Sequence, residues 1–207
     1  EVIVQSMNQV TRALLRANSD FDILPEETLE TAEFSGGKIL ARNERGEELE
    51  EYRVLVLPEI PVLKAGTVAP ILKHLAAGGK VLVAGALPQW LWGEEQQGCS
   101  AGALREALEA AKSQVAFLNP RPSWDSAAWE QQMRASLGSL VKPEVKVEEE
   151  GAAIGDITHL HHKRDGKHLF FFANTSRTVS HRTRISVAAK GNPKVWDALS
   201  GKVRPLE

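Results

Sequence analysis

Tyr52-Arg53-Val54-Leu55-Val56-Leu57-Pro58 and Lys80-Val81-Leu82-Val83-Ala84 are two strand-length stretches, the first apolar and β-branched throughout its second half and the second from Val81 on. Neither run alternates with polar residues. A continuous apolar run of this length suits a strand covered on both faces, as in a parallel sheet. The stretch between them supplies the cover: Val68, Ile71, Leu72 and Leu75 recur at helical spacing, with Thr67 as the expected cap and Gly78-Gly79 as the stop. Strand, helix and strand joined by short links predict a βαβ unit with Val54–Leu57 parallel to Val81–Ala84.

The pattern extends outward in both directions. Met7 to Ala17 is apolar at helical spacing through Val10, Ala13, Leu14 and Ala17, and Asn18 is its stop. Phe21-Asp22-Ile23-Leu24 reads as a short strand closed by Pro25, and Lys38 to Ala41 as another, reached through the Gly36-Gly37 turn. Ser100 opens a helix running to Ala111, Val115 to Leu118 is a strand, and Asp125 caps a helix that ends near Leu140. Alternation of this kind predicts an α/β fold with a parallel sheet flanked by helices over residues 1–141.

Beyond residue 141 the period changes from 3.6 to 2. Ile157 to His162 alternates, Lys167 to Ala173 is rich in aromatic and β-forming residues, and Asp165-Gly166 between them is a hairpin signal. Arg182 to Ala188 alternates again, and Val195-Trp196 leads through the Leu199-Ser200-Gly201 turn to Val203. Residues 142–207 therefore read as a small antiparallel β region of sandwich type. Its core is thin, so it needs the α/β part or further strands for cover. Charge divides the chain near the same place: residues 1–150 carry 15 basic and 23 acidic residues, and residues 151–207 carry 10 and 4.

The 207 residues have 43% hydrophobic and 25% charged side chains, which is globular composition and excludes a disordered or low-complexity chain. A net charge of −2, without a basic stripe interleaved with aromatics, points away from nucleic acid. No apolar run approaches the ~20 residues of a membrane-spanning helix. The single cysteine, Cys99, excludes an internal disulfide framework and a multi-cysteine metal site. Glu1 is not an initiator methionine, and the chain reads as a piece of something longer.

Few residues offer chemistry. Cys99 lies in Gly98-Cys99-Ser100-Ala101-Gly102, but a nucleophile elbow needs glycines two residues to either side and a buried strand directly before it. Here those positions hold Gln97 and Ala101, and the preceding strand ends near Ala84. The true elbow position, Gly85-Ala86-Leu87-Pro88, offers no nucleophile. His159 and His161 fall on one face of a strand beside His162, yet nothing at ligand spacing completes a metal site. No G-x-G-x-x-G cradle occurs, so no nucleotide cofactor is expected. Trp90-Leu91-Trp92 lies just past the carboxyl end of a parallel strand, the edge where open α/β sheets bind ligands. Two readings compete there: indoles stacking on sugar faces, or indoles covered by a neighbouring domain. Glu59, after Pro58, is the one carboxylate at that edge, and no partner for it is visible. No catalytic residue, metal ligand or cofactor follows from these patterns.

Several segments resemble parts of large glycoside hydrolases. Ile157 to Asn174 (I-T-H-L-H-H-K-R-D-G-K-H-L-F-F-F-A-N) resembles a strand–turn–strand segment of enzymes related to the α-L-rhamnosidases of glycoside hydrolase family 106, and Pro193 to Gly201 resembles the Trp-Asp-x-x-x-Gly segment that follows it there. Asn18-x-x-Phe21-Asp22-Ile23-Leu24, Tyr52 to Pro58 and Leu75 to Val81 resemble the amidotransferase-like domain beside the catalytic barrel, a pattern shared by β-galactosidases that trimerise through such a domain. The resemblance implies a flavodoxin-like or class I amidotransferase-like layer followed by sandwich strands. It also implies a non-catalytic accessory role, with the parent enzyme's barrel as partner and carbohydrate or a second copy of the chain as further ones. Paired catalytic carboxylates would stand on the barrel, so none is carried over to this chain. The rival readings are an amidotransferase- or peptidase-like enzyme using Cys99, and a sugar-binding module using Trp90 and Trp92.

Overall fold

A computed structural model describes residues 2–43, 45–93, 100–119 and 127–206. Its elements in chain order are α1 (Val2–Arg16), α2 (Glu26–Thr31), β1 (Glu33–Ser35), β2 (Lys38–Arg42), β3 (Glu48–Tyr52), β4 (Val54–Pro58), β5 (Val62–Lys64), α3 (Ala65–Ala76), β6 (Lys80–Ala84), β7 (Trp90–Trp92), α4 (Ala101–Ala110), β8 (Val115–Leu118) and α5 (Ala127–Leu140). Then follow β9 (Val145–Glu149), β10 (Ala152–Ala153), β11 (Ile157–Arg164), β12 (Lys167–Asn174), β13 (Arg184–Val187), β14 (Lys194–Trp196) and β15 (Val203–Pro205). The fold is mixed α/β: a parallel sheet with helices, accompanied by small antiparallel sheets. Among the described residues no helix is long and apolar enough to cross a membrane.

The parallel sheet has the order β4-β6-β8, with Leu55 opposite Val81 and Leu57 opposite Val83. That is the pairing the two apolar runs predict. Side chains of β6 alternate between two cores. Val81 and Val83 pack with Val68, Ile71 and Leu75 of α3 and Leu104 and Leu108 of α4. Leu82 and Ala84 pack with Val10, Ala13 and Leu14 of α1 and Trp129, Met133 and Leu137 of α5. Helices thus cover both faces, which is why β6 contains no polar residue after Lys80.

Four local readings need correction. Phe21 to Leu24 is not a strand; it crosses from one core to the other, with Phe21 packed on the α1/α5 side and Leu24 on the α3/α4 side. The run from Tyr52 to Leu57 is two strands in different sheets, broken at Arg53, because Tyr52 pairs with Ile39 whereas Val54 pairs with Lys80. The Tyr52 hydroxyl donates to Asp22 at 3.1 Å; burial and that carboxylate push its pKa up to about 12. Lys38 to Ala41 is a strand, but it is the middle of an antiparallel β1-β2-β3 meander rather than part of the parallel sheet. Thr67 is not a cap: α3 starts at Ala65, and Glu26 of α2 reaches across to accept from the Lys64 backbone N–H (3.1 Å) and the Thr67 hydroxyl (3.4 Å). A carboxylate at a helix N-terminus satisfies an orphan donor and suits the helix dipole.

Other local readings match. Ser100 caps α4 by accepting from the Ala103 N–H at 3.0 Å. Gly78-Gly79 closes α3, with Gly79 N–H donating to His74 carbonyl at 2.8 Å. Asp165 and Gly166 form a two-residue turn with φ of 52° and 70°, setting Arg164 opposite Lys167 and Ile157 opposite Asn174. Asp125 lies outside the described residues.

The β region forms around Val145, Val147 and Ile157, with Phe170 and Phe172 packed on them. Polar contacts tie it to the α/β part. Asn18, which ends α1 at φ 54°, donates from Nδ2 to the Ile157 carbonyl at 3.2 Å. Arg53 pairs with Glu144 at 2.6 Å, and Arg16 reaches Asp156 at 3.9 Å. His181 is held between Glu149 (2.8 Å) and Asp156 (3.4 Å); the two carboxylates raise its pKa, and Glu149 is lowered in return.

Two outcomes test this packing. A Cβ at Gly79 would lie 2.2 Å from the ring of His74, which is wholly buried and donates from Nε2 to the Lys80 carbonyl at 3.2 Å. Gly79→Ala should therefore cost roughly 2–3 kcal/mol of unfolding free energy in urea titrations, as overpacking does. Gly78→Ala meets open space but a left-handed φ of 87°, and should cost only about 1 kcal/mol. The second outcome concerns pH. A raised His181 stabilises fully below its unfolded pKa near 6.5 and loses that contribution as pH rises through its folded value. A lowered Glu149 contributes above about 4.5 and loses it on acidification. His181→Gln should thus lower Tm most near pH 5.5, and the difference from the parent chain should shrink by pH 8.5.

Candidate functional site

The parallel strands β4 and β6 end at Pro58 and Ala84, so Glu59 and Gly85 stand side by side at the carboxyl edge of the sheet. Gly85 has φ 117°, and a Cβ there would lie 2.6 Å from both the Cβ and Oε2 of Glu59. The carboxylate therefore sits on bare backbone that only glycine leaves open. Glu59 is half-buried and makes no hydrogen bond or ion pair with any described residue. With Ile60, Pro61, Ala86, Leu87 and Gln89 it lines a cleft of about 120 Å³.

The cleft opens beside a second, two-stranded parallel ribbon. Pro61 accepts from the N–H groups of Gln89 (3.1 Å) and Trp90 (3.2 Å), and this starts the pairing of β5 with β7: Val62 with Trp90, Leu63 with Leu91, and Lys64 with Trp92. Alternation along the ribbon then fixes which side chains face out. Leu63 and Leu91 turn to the α3/α4 core, while Val62, Lys64, Trp90 and Trp92 turn outward. Trp90 is 67% exposed and Trp92 is 55% exposed. Lys64 does not bring free positive charge to this face, because its ammonium is paired with Glu30 at 2.9 Å and Glu27 at 3.6 Å.

The sequence-predicted residues thus divide. Trp90 and Trp92 stand on the ribbon that adjoins the Glu59 cleft, Trp90 directly after Gln89 of the cleft wall, but neither indole lines the cleft itself. Trp196 is exposed on the separate β14–β15 hairpin, and Trp129 is buried under the sheet with Nε1–H donating to the Asn119 carbonyl at 2.9 Å. Cys99 lies outside the described residues. Gln89 carried no signal in the sequence, because only the pairing of β5 with β7 brings it to the cleft.

The histidines assemble elsewhere. His159 and His161 share a face of β11, as predicted, and His162 points the other way. The hairpin adds His168 from β12 and β9's approach adds Glu144, neither of which spacing along one strand could reveal. His161 Nδ1 faces Glu144 at 3.4 Å, its Nε2 lies 2.9 Å from His168 Nδ1, and its ring stacks on Phe170 with centroids 4.2 Å apart. With Nδ1–H turned to Glu144, a neutral His161 accepts at Nε2 from His168. Burial lowers the pKa of His159, favouring its neutral form. Among the described residues no three histidine, cysteine, aspartate or glutamate side chains are placed to hold a metal ion. The chain of contacts ends on Arg53, so it links the β region to the start of β4.

Chemically, the described residues of the sheet edge present one carboxylate without a partner among them, one amide and, on the adjoining ribbon, two exposed indoles. Hydrolysis of a glycoside needs two carboxyl groups ~5–10 Å apart across the scissile bond. The described residues of the cleft supply one.

No protein-family model and no curated protein matches the chain. Among solved structures, an apo exo-carrageenase GH42 from Bacteroides ovatus is similar at a TM-score of 0.47 and 13% identity, over 97% of this chain and 25% of that one. The chain therefore spans about a quarter of that enzyme's length. At that level of likeness neither a shared fold nor an activity passes to this chain.

The Glu59–Gly85 contact gives a direct test. Gly85→Ala should lower stability by roughly 1–3 kcal/mol in urea titrations, since it adds both a disfavoured φ and a clash. It should also shift the backbone amide resonances of Glu59 and Ile60, whereas Gly102→Ala, where the nearest side-chain atom is 3.7 Å away, should shift neither.

Proposed function

We propose that this chain is a non-catalytic accessory region of a carbohydrate-active glycoside hydrolase of α-L-rhamnosidase-like or β-galactosidase-like kind. Residues 1–141 form its amidotransferase-like α/β layer and residues 142–207 its sandwich-like strands. Its partner is the catalytic barrel of the parent enzyme, which it buttresses. The observation that carries the reading is the composition of the sheet edge: where α/β folds place their active sites, the described residues of the cleft offer Glu59 as the one carboxylate, with no nucleophile beside a base, and the adjoining ribbon bears two exposed indoles. The segments around Ile157 to Asn174 and Pro193 to Gly201 support the same reading through their resemblance to glycoside hydrolases. An enzyme built on Cys99 has less behind it, because the turn after β6 holds Gly85-Ala86-Leu87 and Leu87 is buried.

The test is an assay of the 207-residue chain against aryl rhamnosides, aryl galactosides and a broader aryl-glycoside panel. The expected rate equals that of buffer. Turnover that disappears in Glu59→Gln would overturn the reading, since it would make the lone carboxylate catalytic.

A further inference from the structure

We infer that the outer face of the β5–β7 ribbon, with the adjoining cleft, is a binding site for a neutral saccharide chain, recognised by Trp90, Trp92, Glu59 and Gln89. The inference deepens the accessory reading by naming what this edge of the region touches.

The indoles supply the first reason. Trp90 and Trp92 are two residues apart on one strand, so their attachment points are separated by roughly 6.6 Å on the same side of the ribbon. Leaving two indoles mostly bare in water forgoes a large gain from burial, of the order of 2 kcal/mol or more each. Their neighbours on that face are Val62 and the stem of Lys64, so nothing on the ribbon folds over them. Flat aromatic faces suit the apolar C–H faces of pyranose rings, and an extended sugar chain lies along such a pair without needing a deep pocket.

The polar groups supply the second. Sugar hydroxyls need acceptors and donors fixed at the rim of the aromatic surface. Glu59 is such an acceptor: held on the backbone at Gly85, half-buried, and without a partner among the described residues. Gln89 lines the same cleft, and its backbone N–H is fixed by the Pro61 carbonyl directly before the first indole in the chain. The Glu59 oxygens are not among the buried atoms that lack a partner, so water reaches them in the cleft, and a sugar hydroxyl can take the place of that water without adding net charge.

The charge balance chooses the class of sugar. Lys64, the cation carried by the ribbon, is engaged by Glu30 and Glu27, and among the described residues that line the cleft the charged one is Glu59. A sulfated or uronic saccharide would meet that charge without a compensating cation. Neutral sugars meet no such penalty.

The experiment is an NMR titration of the ¹⁵N-labelled chain, following indole N–H resonances. The probes are cello-, galacto- and rhamno-configured tetrasaccharides and one sulfated galacto-tetrasaccharide. At least one neutral probe should shift the Trp90 and Trp92 indole signals saturably while leaving Trp129 unmoved. Trp90→Ala and Trp92→Ala should each weaken that binding about tenfold or more, with circular dichroism unchanged because both side chains are exposed. The sulfated probe should bind the parent chain at least about tenfold more weakly than its neutral counterpart, and Glu59→Gln should narrow that gap. Absence of a saturable shift with every neutral probe overturns the inference, as does binding that survives both tryptophan substitutions or tighter binding of the sulfated probe by the parent chain. Release of reducing sugar during the titration would instead overturn the accessory reading, with the binding site standing.

Discussion

A five-residue strand organises this molecule. Every side chain of β6 from Val81 to Ala84 is buried, and successive ones enter different cores. Val81, Leu82 and Val83 each contribute about 1.5–3 kcal/mol through burial, and that gain exists only if helices cover both faces of the sheet at once. The requirement brings α3 and α4 to one face and α1 and α5 to the other. It also makes β6 the middle strand, because an edge strand would expose one of its ladders.

The sheet edge inherits its character from that arrangement. Once β4 and β6 are locked in parallel register, Pro58 and Ala84 end at the same level, and the chain must leave both strands in the same direction. Gly85 lets the backbone pass under Glu59, and the two exits then pair again as β5 and β7. Pairing sends Leu63 and Leu91 inward, which leaves the alternate residues, including both tryptophans, no option but to face out. The exposed indoles are thus a consequence of register, as is the place of their ribbon beside the Glu59 cleft.

The β region is held differently. Its small core of Val145, Val147 and Ile157 is supplemented by ionic and hydrogen-bonded ties from Asn18, Arg16 and Arg53 to the α/β part. Leu160, Leu169 and Phe171 remain exposed on the outer face of the β11–β12 hairpin, in keeping with strands whose apolar faces exceed what one small core can cover.

Much of this was legible in the residues themselves, and the boundary is physical. Local rules identified β6, β8, α4 and the Asp165-Gly166 hairpin, because continuous apolar runs, a serine cap and a positive-φ turn are properties of neighbouring residues. They also placed Trp90, Trp92 and Glu59 at the carboxyl edge, since that follows from where the strands stop. What distant segments decide was invisible. Glu26 caps α3 from 38 residues away, so Thr67 looked like the cap. Tyr52 and Val54 are two residues apart but pair with different strands, and although the charged Arg53 lies at the break, nothing local says which partner each side takes. The partners of His161 come from β12 and from the loop before β9, and Gln89 reaches the cleft only through the β5–β7 pairing. Sequence by itself determined which segments must be buried and how each begins and ends, because those depend on short-range chemistry. Tertiary structure alone decided which polar side chains meet, because that depends on register and packing between segments far apart in the chain.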